Sequence, residues 1–72
     1  MTKQIMKISN VENVSFGNTY VSVIFKNNVI SADNLNKLIK ILNNEYIIKD
    51  IAFNVLNGKL YVDFDVEKKN GM

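Results

Sequence analysis

The most regular pattern lies near the end of the chain, where two runs of alternating apolar and polar residues, 50–56 and 59–67, flank Asn57-Gly58. Asn-Gly is favoured in two-residue type I′ turns, and such a turn sets the register of the hairpin. One face is then expected to join the core, and its pairs are Val55–Leu60, Phe53–Val62, Ile51–Phe64 and Lys49–Val66. The opposite face is mixed, and its pairs are Leu56–Lys59, Asn54–Tyr61, Ala52–Asp63 and Asp50–Asp65.

A second pattern, over residues 31–46, has the three- and four-residue spacing of an amphipathic helix. Its apolar positions are Leu35, Leu38, Ile39, Leu42 and Tyr46. Ser31 suits the N-cap, and Asp33 places a negative charge in the first turn, where it interacts favourably with the positive end of the helix dipole. The lysines of the outer side, Lys37 and Lys40, are interpreted as solvated charge without a functional role.

The first third of the chain contains one clear strand and one irregular strand. Residues 19–26 alternate strictly and put Val21, Val23 and Phe25 on one side, as expected for a central strand. The preceding apolar residues, Val11, Val14 and Phe16, do not share one parity. A bulge near Asn13 would align them and keep Glu12 out of the core, and Gly17-Asn18 is the predicted hairpin turn.

Two hairpins around one helix predict an α+β fold, a small antiparallel β-sheet with one helix packed on one face in a ββαββ layout. Residues 1–67 are predicted to form a single domain, and residues 68–72 a frayed C-terminal tail. The helix leaves the other sheet face open, and a contiguous apolar set with tyrosines is typical of an interface. The predicted partner-binding residues of that face are Tyr20, Ser22, Ile24, Ala52, Asn54, Leu56, Tyr61 and Asp63.

The composition limits which catalytic and metal-binding side chains are available, because the chain has no histidine, cysteine, arginine, tryptophan or proline. Histidine and cysteine are the usual acid–base, nucleophilic and zinc-binding groups, so we expect no enzyme activity, no catalytic residues and no cofactor. The open face does carry acidic groups that could hold a hard cation, namely Asp50, Asp63, Asp65 and Glu67. A solvated acidic face is the preferred interpretation, and no metal site is predicted.

The surface of the domain is therefore the main indication of its function. With 72 residues the domain buries a modest core, and disulfides cannot support it, so association is the remaining source of stability. We expect a small non-enzymatic interaction module that binds a protein partner, or itself as a homodimer, through the open face. Its anchors would be Tyr20, Ile24, Leu56 and Tyr61, because tyrosine supplies a broad, stiff contact with a polar tip.

The alternative is a nucleic-acid-binding regulator that stacks bases on the sheet tyrosines and pairs phosphates with Lys26 and Lys59. The net charge of +2, the missing arginines and the acidic residues of the same face argue against it. No small-molecule substrate and no membrane association are implied, and we expect a cytoplasmic protein. Asn, Lys, Ile, Phe and Tyr make up about half of the chain, which suggests an accessory or regulatory protein of an AT-rich bacterium or phage.

Overall fold

The computed structural model describes residues 1–69, which form one antiparallel sheet and two helices. The elements are α1 (Thr2–Met6), β1 (Val11–Phe16), β2 (Tyr20–Phe25), α2 (Ala32–Asn43), β3 (Tyr46–Leu56) and β4 (Lys59–Lys68). The strands are ordered β1-β2-β4-β3, so β2 and β4 are central and β1 and β3 are the edges. The predicted α+β class and ββαββ layout are confirmed, with one addition. The short α1 precedes β1, and at five residues it is too short for helical periodicity to reveal it.

The β3–β4 hairpin turns at Asn57-Gly58 as predicted. Both turn residues have positive φ, 54° at Asn57 and 77° at Gly58, as a type I′ turn requires. Residues 50–56 pair with 59–65 in the expected register. The exception is Lys49, because the register shifts between Ile48 and Asp50 and pairs Val66 with Ile48.

The Lys49–Val66 prediction is therefore wrong, for a clear physical reason. An ammonium opposite Val66 would enter the core without a partner, at a large desolvation cost. The irregularity turns Ile48 to the core side instead, where it packs against the buried cluster. Lys49 stays exposed and lies 3.5 Å from the Glu67 carboxylate.

The β1–β2 hairpin contains the expected bulge, since its register shifts between Val11 and Asn13. This aligns the apolar residues of β1 with those of β2, in the pairs Val11–Phe25, Val14–Val23 and Phe16–Val21. The predicted Gly17-Asn18 turn is wrong by one position. The Gly17 N–H donates to the Tyr20 carbonyl at 2.9 Å, so Asn18 and Thr19 are the loop residues.

Helix α2 begins as the sequence predicts and ends earlier. The Ser31 hydroxyl oxygen accepts the Asn34 N–H at 3.1 Å and caps the helix. The helix ends at Asn43, where the Asn44 N–H reaches back to the Ile41 carbonyl. Tyr46 is thus the first residue of β3 rather than part of the helix, although its side chain is buried as the apolar pattern required.

The core lies between the sheet and the two helices, which pack on the same face. Its buried residues are Ile5, Ile8, Val11, Val21, Val23, Phe25, Leu38, Leu42, Tyr46, Leu60, Val62, Phe64 and Val66. The expectation that the whole apolar face of the hairpin is core is wrong at one end, since Phe53 and Val55 are exposed. Helix α2 is about 18 Å long and β3 about 36 Å, so the helix leaves part of that strand uncovered.

The end of the chain is partly described. Lys68 belongs to β4 and pairs with Tyr46, and the Lys69 N–H donates to the Glu45 carbonyl at 2.8 Å. The remainder of the predicted frayed tail, residues 70–72, lies outside the described residues. No helix within residues 1–69 has the length and apolar character needed to cross a bilayer.

Candidate partner-binding surface

The sheet side away from the two helices, here called the open face, carries all eight residues selected from the sequence. Residues opposed in an antiparallel sheet share a face, so the registers define rows across the strands. The central rows are Asn13–Ile24–Tyr61–Asn54 and Ser15–Ser22–Asp63–Ala52. Tyr20–Asp65–Asp50 borders them on one side, and Lys59–Leu56 on the other.

The two tyrosines lie on the same face but in separate patches. Tyr20 is opposite Asp65, whereas Tyr61 lies between Ile24 and Asn54. Asp65 and Tyr61 are four positions apart on β4, a distance of about 13 Å along the strand. The sequence predicted a contiguous apolar set with two tyrosines, and in the structure the polar pair Ser22–Asp63 lies between the tyrosines.

The first patch is apolar and lies near the β3–β4 turn. Ile24 and Tyr61 face each other across β2 and β4 and are half-buried, while Leu56 beyond them is 56% exposed. This group is the more hydrophobic part of the open face. It offers the flat apolar contact typical of the centre of a protein interface.

The second patch is a depression beside Tyr20. Its volume is about 240 Å³, and its lining residues are Thr19, Tyr20, Asp50, Ala52, Asp63, Phe64 and Asp65. Of these residues, Asp63 accepts a hydrogen bond at Oδ1 from the Ser22 hydroxyl at 2.7 Å, which orients its carboxylate. The depression combines an aromatic ring with carboxylates, a combination suited to a cationic side chain.

Gly17 positions the Tyr20 ring. A Cβ atom at residue 17 would overlap the ring, so the absence of a side chain allows Tyr20 to lie against the turn. The ring remains 49% exposed. Sequence reasoning treated Gly17 as a turn glycine, whereas its contribution is the space that it leaves for Tyr20.

An ion pair crosses the open face from β1 to β4. Lys59 Nζ donates to Glu12 Oε2 at 2.9 Å, over the intervening strand β2. The hydrogen bond to Glu12, together with its negative charge, raises the pKa of Lys59 above its ordinary value. One of the two lysines considered for phosphate contacts is thus already paired within the chain.

Three of the four acidic residues of the open face, Asp50, Asp63 and Asp65, line the depression, and the fourth, Glu67, does not. Asp50 lies opposite Asp65 as predicted, and Asp50 Oδ1 accepts the Ile51 N–H at 2.9 Å. Glu67 lies beside Lys49. Within residues 1–69 no group of three or more acidic side chains has an arrangement that could hold a metal ion. Asp50 and Asp65 are both exposed, so they lie outside any water-excluding pocket.

The structure adds a group that sequence reasoning missed, at the turn end of β3. Phe53 and Val55 are 50% and 57% exposed on the helix side, and Leu56 follows on the open face. We call Phe53, Val55 and Leu56 the β3 tip. The sequence pattern gave no signal for it, because the predicted helix 31–46 and strand 50–56 would both be about 23–24 Å long. The mismatch in length appears only with the observed bounds of α2 and β3.

A second concave feature is a groove of about 430 Å³ between α1 and α2. Its lining residues are Gln4, Lys7, Ile8, Ser9, Asn34, Lys37, Lys40 and Ile41. None of its polar side chains is buried, and Lys37 lies 3.6 Å from Asp33 one turn earlier in α2. Ligand pockets normally hold polar groups at fixed positions, and this exposed lysine-rich surface lacks them.

Comparison with known proteins gives no relative from which a role could be transferred. The chain matches no protein-family model, no curated protein and no solved structure.

Proposed function

We propose that this chain is a small, non-enzymatic protein-interaction module whose binding surface is the open face. One observation carries the proposal. Both helices pack on the same side of the sheet, and among residues 1–69 no element covers the other side, where Tyr20, Ile24, Leu56 and Tyr61 are displayed. Aromatic and aliphatic side chains on a preformed sheet lose little conformational freedom on binding, which favours their use as anchors.

The two patches define the chemistry of the partner. The apolar patch of Ile24, Tyr61 and Leu56 suits aliphatic or aromatic side chains. The depression beside Tyr20 contains the carboxylates of Asp50, Asp63 and Asp65, so it suits a lysine or arginine of the partner. A protein surface with apolar and basic residues side by side therefore fits best.

The same charges favour protein over nucleic acid. Phosphates approaching the open face would meet Asp50, Asp63 and Asp65, and Lys59 is held by Glu12. Base stacking on Tyr20 and Tyr61 would have to overcome that repulsion. The nucleic-acid alternative is retained as an outcome of the experiment.

The proposal extends to the setting of the protein. We infer an accessory or regulatory role in the cytoplasm of an AT-rich bacterium, or of a cell infected by an AT-rich phage. A module without catalytic groups acts by occupying or assembling other proteins, and we assign that role to the open face.

The experiment is affinity capture from a host lysate with the wild-type chain and with the double variant Tyr20→Ala, Tyr61→Ala. Val29→Ala is the matched control, because Val29 is an exposed apolar residue outside the sheet. We expect the double variant to lose the captured protein while its melting temperature stays within a few degrees of wild type, and the control to retain it.

Two results would contradict the proposal. The first is equal capture by wild type and the double variant. The second is a captured species that disappears after nuclease treatment and weakens steeply with salt, which would favour the nucleic-acid alternative.

A further inference from the structure

The half of the β3 edge nearest the turn, residues 51–56, lacks the usual protection against strand pairing, whereas the other half has Lys49, Asp50 and an irregularity between Ile48 and Asp50. Residues 51–56, at the edge of the sheet, contain no charged residue and no proline, and they include the exposed β3 tip. Edge strands are normally blocked by charges, proline, bulges or short length. The opposite edge, β1, follows that rule, since it has six residues, a bulge and Glu12.

The hairpin register shows which backbone groups of this edge are available. In a two-residue hairpin the two residues next to the turn, here Leu56 and Lys59, form a hydrogen-bonded pair. Non-hydrogen-bonded and hydrogen-bonded pairs then alternate along the strands. The N–H and C=O groups of Ile51, Phe53 and Val55 consequently point away from β4. Asp50 Oδ1 already accepts the Ile51 N–H. Phe53 and Val55 therefore present both of their backbone groups to a further strand.

We propose that this edge binds the same edge of a second copy of the chain, antiparallel and centred on Asn54. Phe53 would then exchange two N–H···O bonds with Val55 of the partner subunit. The twofold symmetry gives a second, equivalent pair between Val55 and Phe53 of the partner subunit. On the helix side Phe53 packs against Val55 of the partner subunit. On the open face Ala52 opposes Leu56 of the partner subunit, and the two copies of Asn54 face each other.

Neighbouring registers are less favourable. Centring the pair on Phe53 would place Asp50 opposite Leu56 and would require the Ile51 N–H that Asp50 already binds. Centring it on Val55 would place Phe53 opposite Asn57, whose φ of 54° belongs to the turn. Only the register centred on Asn54 buries no charge, uses both free residues and leaves the turn intact.

The resulting dimer would form a continuous eight-stranded sheet, with all four helices on one side and the two open faces side by side on the other. A short strand pair buries a small area, so the dimer should be weak and dependent on concentration. The dimer contact shares Ala52, Asn54 and Leu56 with the open face, but it involves neither Tyr20 nor Tyr61, the tyrosine anchors of that face. This inference therefore goes beyond the proposed function and stands if the open face proves unused.

Single-cysteine variants test the register directly, because the chain contains no cysteine. In the proposed dimer the two copies of residue 54 form a non-hydrogen-bonded pair with Cα atoms about 4.5 Å apart, within reach of a disulfide. The two copies of residue 52 would be about 13 Å apart along the strands. Asn54→Cys should therefore cross-link under mild oxidation at least roughly ten times faster than Ala52→Cys, its exposed control on the same face.

Sedimentation velocity over a concentration series provides a second measurement. We expect wild type to shift from monomer towards dimer as concentration rises, and Val55→Lys to remain monomeric. Ser15→Lys, which adds the same charge to the other edge, should behave as wild type. The variant Tyr20→Ala, Tyr61→Ala should also dimerise, which separates this test from that of the open face.

The inference is wrong if both cysteine variants cross-link at the same rate, or if wild type remains monomeric throughout the series. It is also wrong if the edge binds only an extended peptide of another protein.

Discussion

Truncating two phenylalanines of the same hairpin tests where the core ends. Phe64 and Phe53 have their side chains on the helix side of the sheet, in the pairs Ile51–Phe64 and Phe53–Val62. The sequence pattern treats them as equivalent. In the structure Phe64 is 1% exposed, whereas Phe53 is 50% exposed at the β3 tip.

Because Phe64 is buried and Phe53 is half exposed, their truncation should lower the free energy of unfolding by different amounts. Phe64→Ala removes a fully buried ring and leaves a cavity, which should lower the free energy of unfolding by about 3–5 kcal/mol. Phe53→Ala removes a half-buried ring and encloses no cavity. Complete burial of a phenylalanine side chain contributes roughly 1.5–3 kcal/mol, and Phe53 is buried by half, so its loss should cost about 1 kcal/mol. A domain of this length has a total stability on the order of 4–10 kcal/mol, so Phe64→Ala should remove a large part of it and, at the lower end of that range, leave the protein close to unfolded.

Urea denaturation followed by circular dichroism, at micromolar protein where the monomer dominates, measures both losses. Phe64→Leu serves as a milder variant if Phe64→Ala has no folded baseline, and it should still be less stable than wild type. Equal losses for Phe53→Ala and Phe64→Ala would refute the conclusion that the helices leave the β3 tip uncovered.

Three further substitutions test local features. Ser31→Ala removes the N-cap of α2 and should cost about 1 kcal/mol in urea denaturation; a loss near zero would mean that the cap contributes nothing. Gly17→Ala should displace the Tyr20 ring and shift its NMR resonances, whereas unchanged resonances would contradict the contact. Glu12→Gln should lower the pKa of Lys59 towards its ordinary value in an NMR titration, and an unchanged pKa would show that the ion pair does not form.

Local patterns predicted much of the fold because they depend on short-range chemistry. Asn57-Gly58 predicted the β3–β4 turn, since both residues tolerate positive φ, and the turn then set the register of residues 50–56. The bulge near Asn13 followed from the cost of placing Glu12 in the core. The same argument applied to Lys49 would have predicted the irregularity beside it, where a regular register was expected instead.

The candidate surface was predicted only in outline. Period-two alternation assigned the eight residues to the open face, because neighbouring strand residues point to opposite sides. Alternation contains no information about distance across the sheet or about neighbours distant in the chain. The separation of Tyr20 from Tyr61, the Ser22–Asp63 hydrogen bond and the Glu12–Lys59 ion pair depend on the order β1-β2-β4-β3.

For this protein, residue order along the chain was enough to determine the antiparallel α+β architecture, the presence of both hairpins, the register of residues 50–56 with 59–65 and the cap of α2. These features arise from backbone conformations and side-chain periodicity within a few neighbouring residues. Tertiary packing alone decided how far the core extends, because the area that a helix covers depends on where it lies on the sheet. It therefore also decided that the β3 tip stays exposed at an unprotected edge.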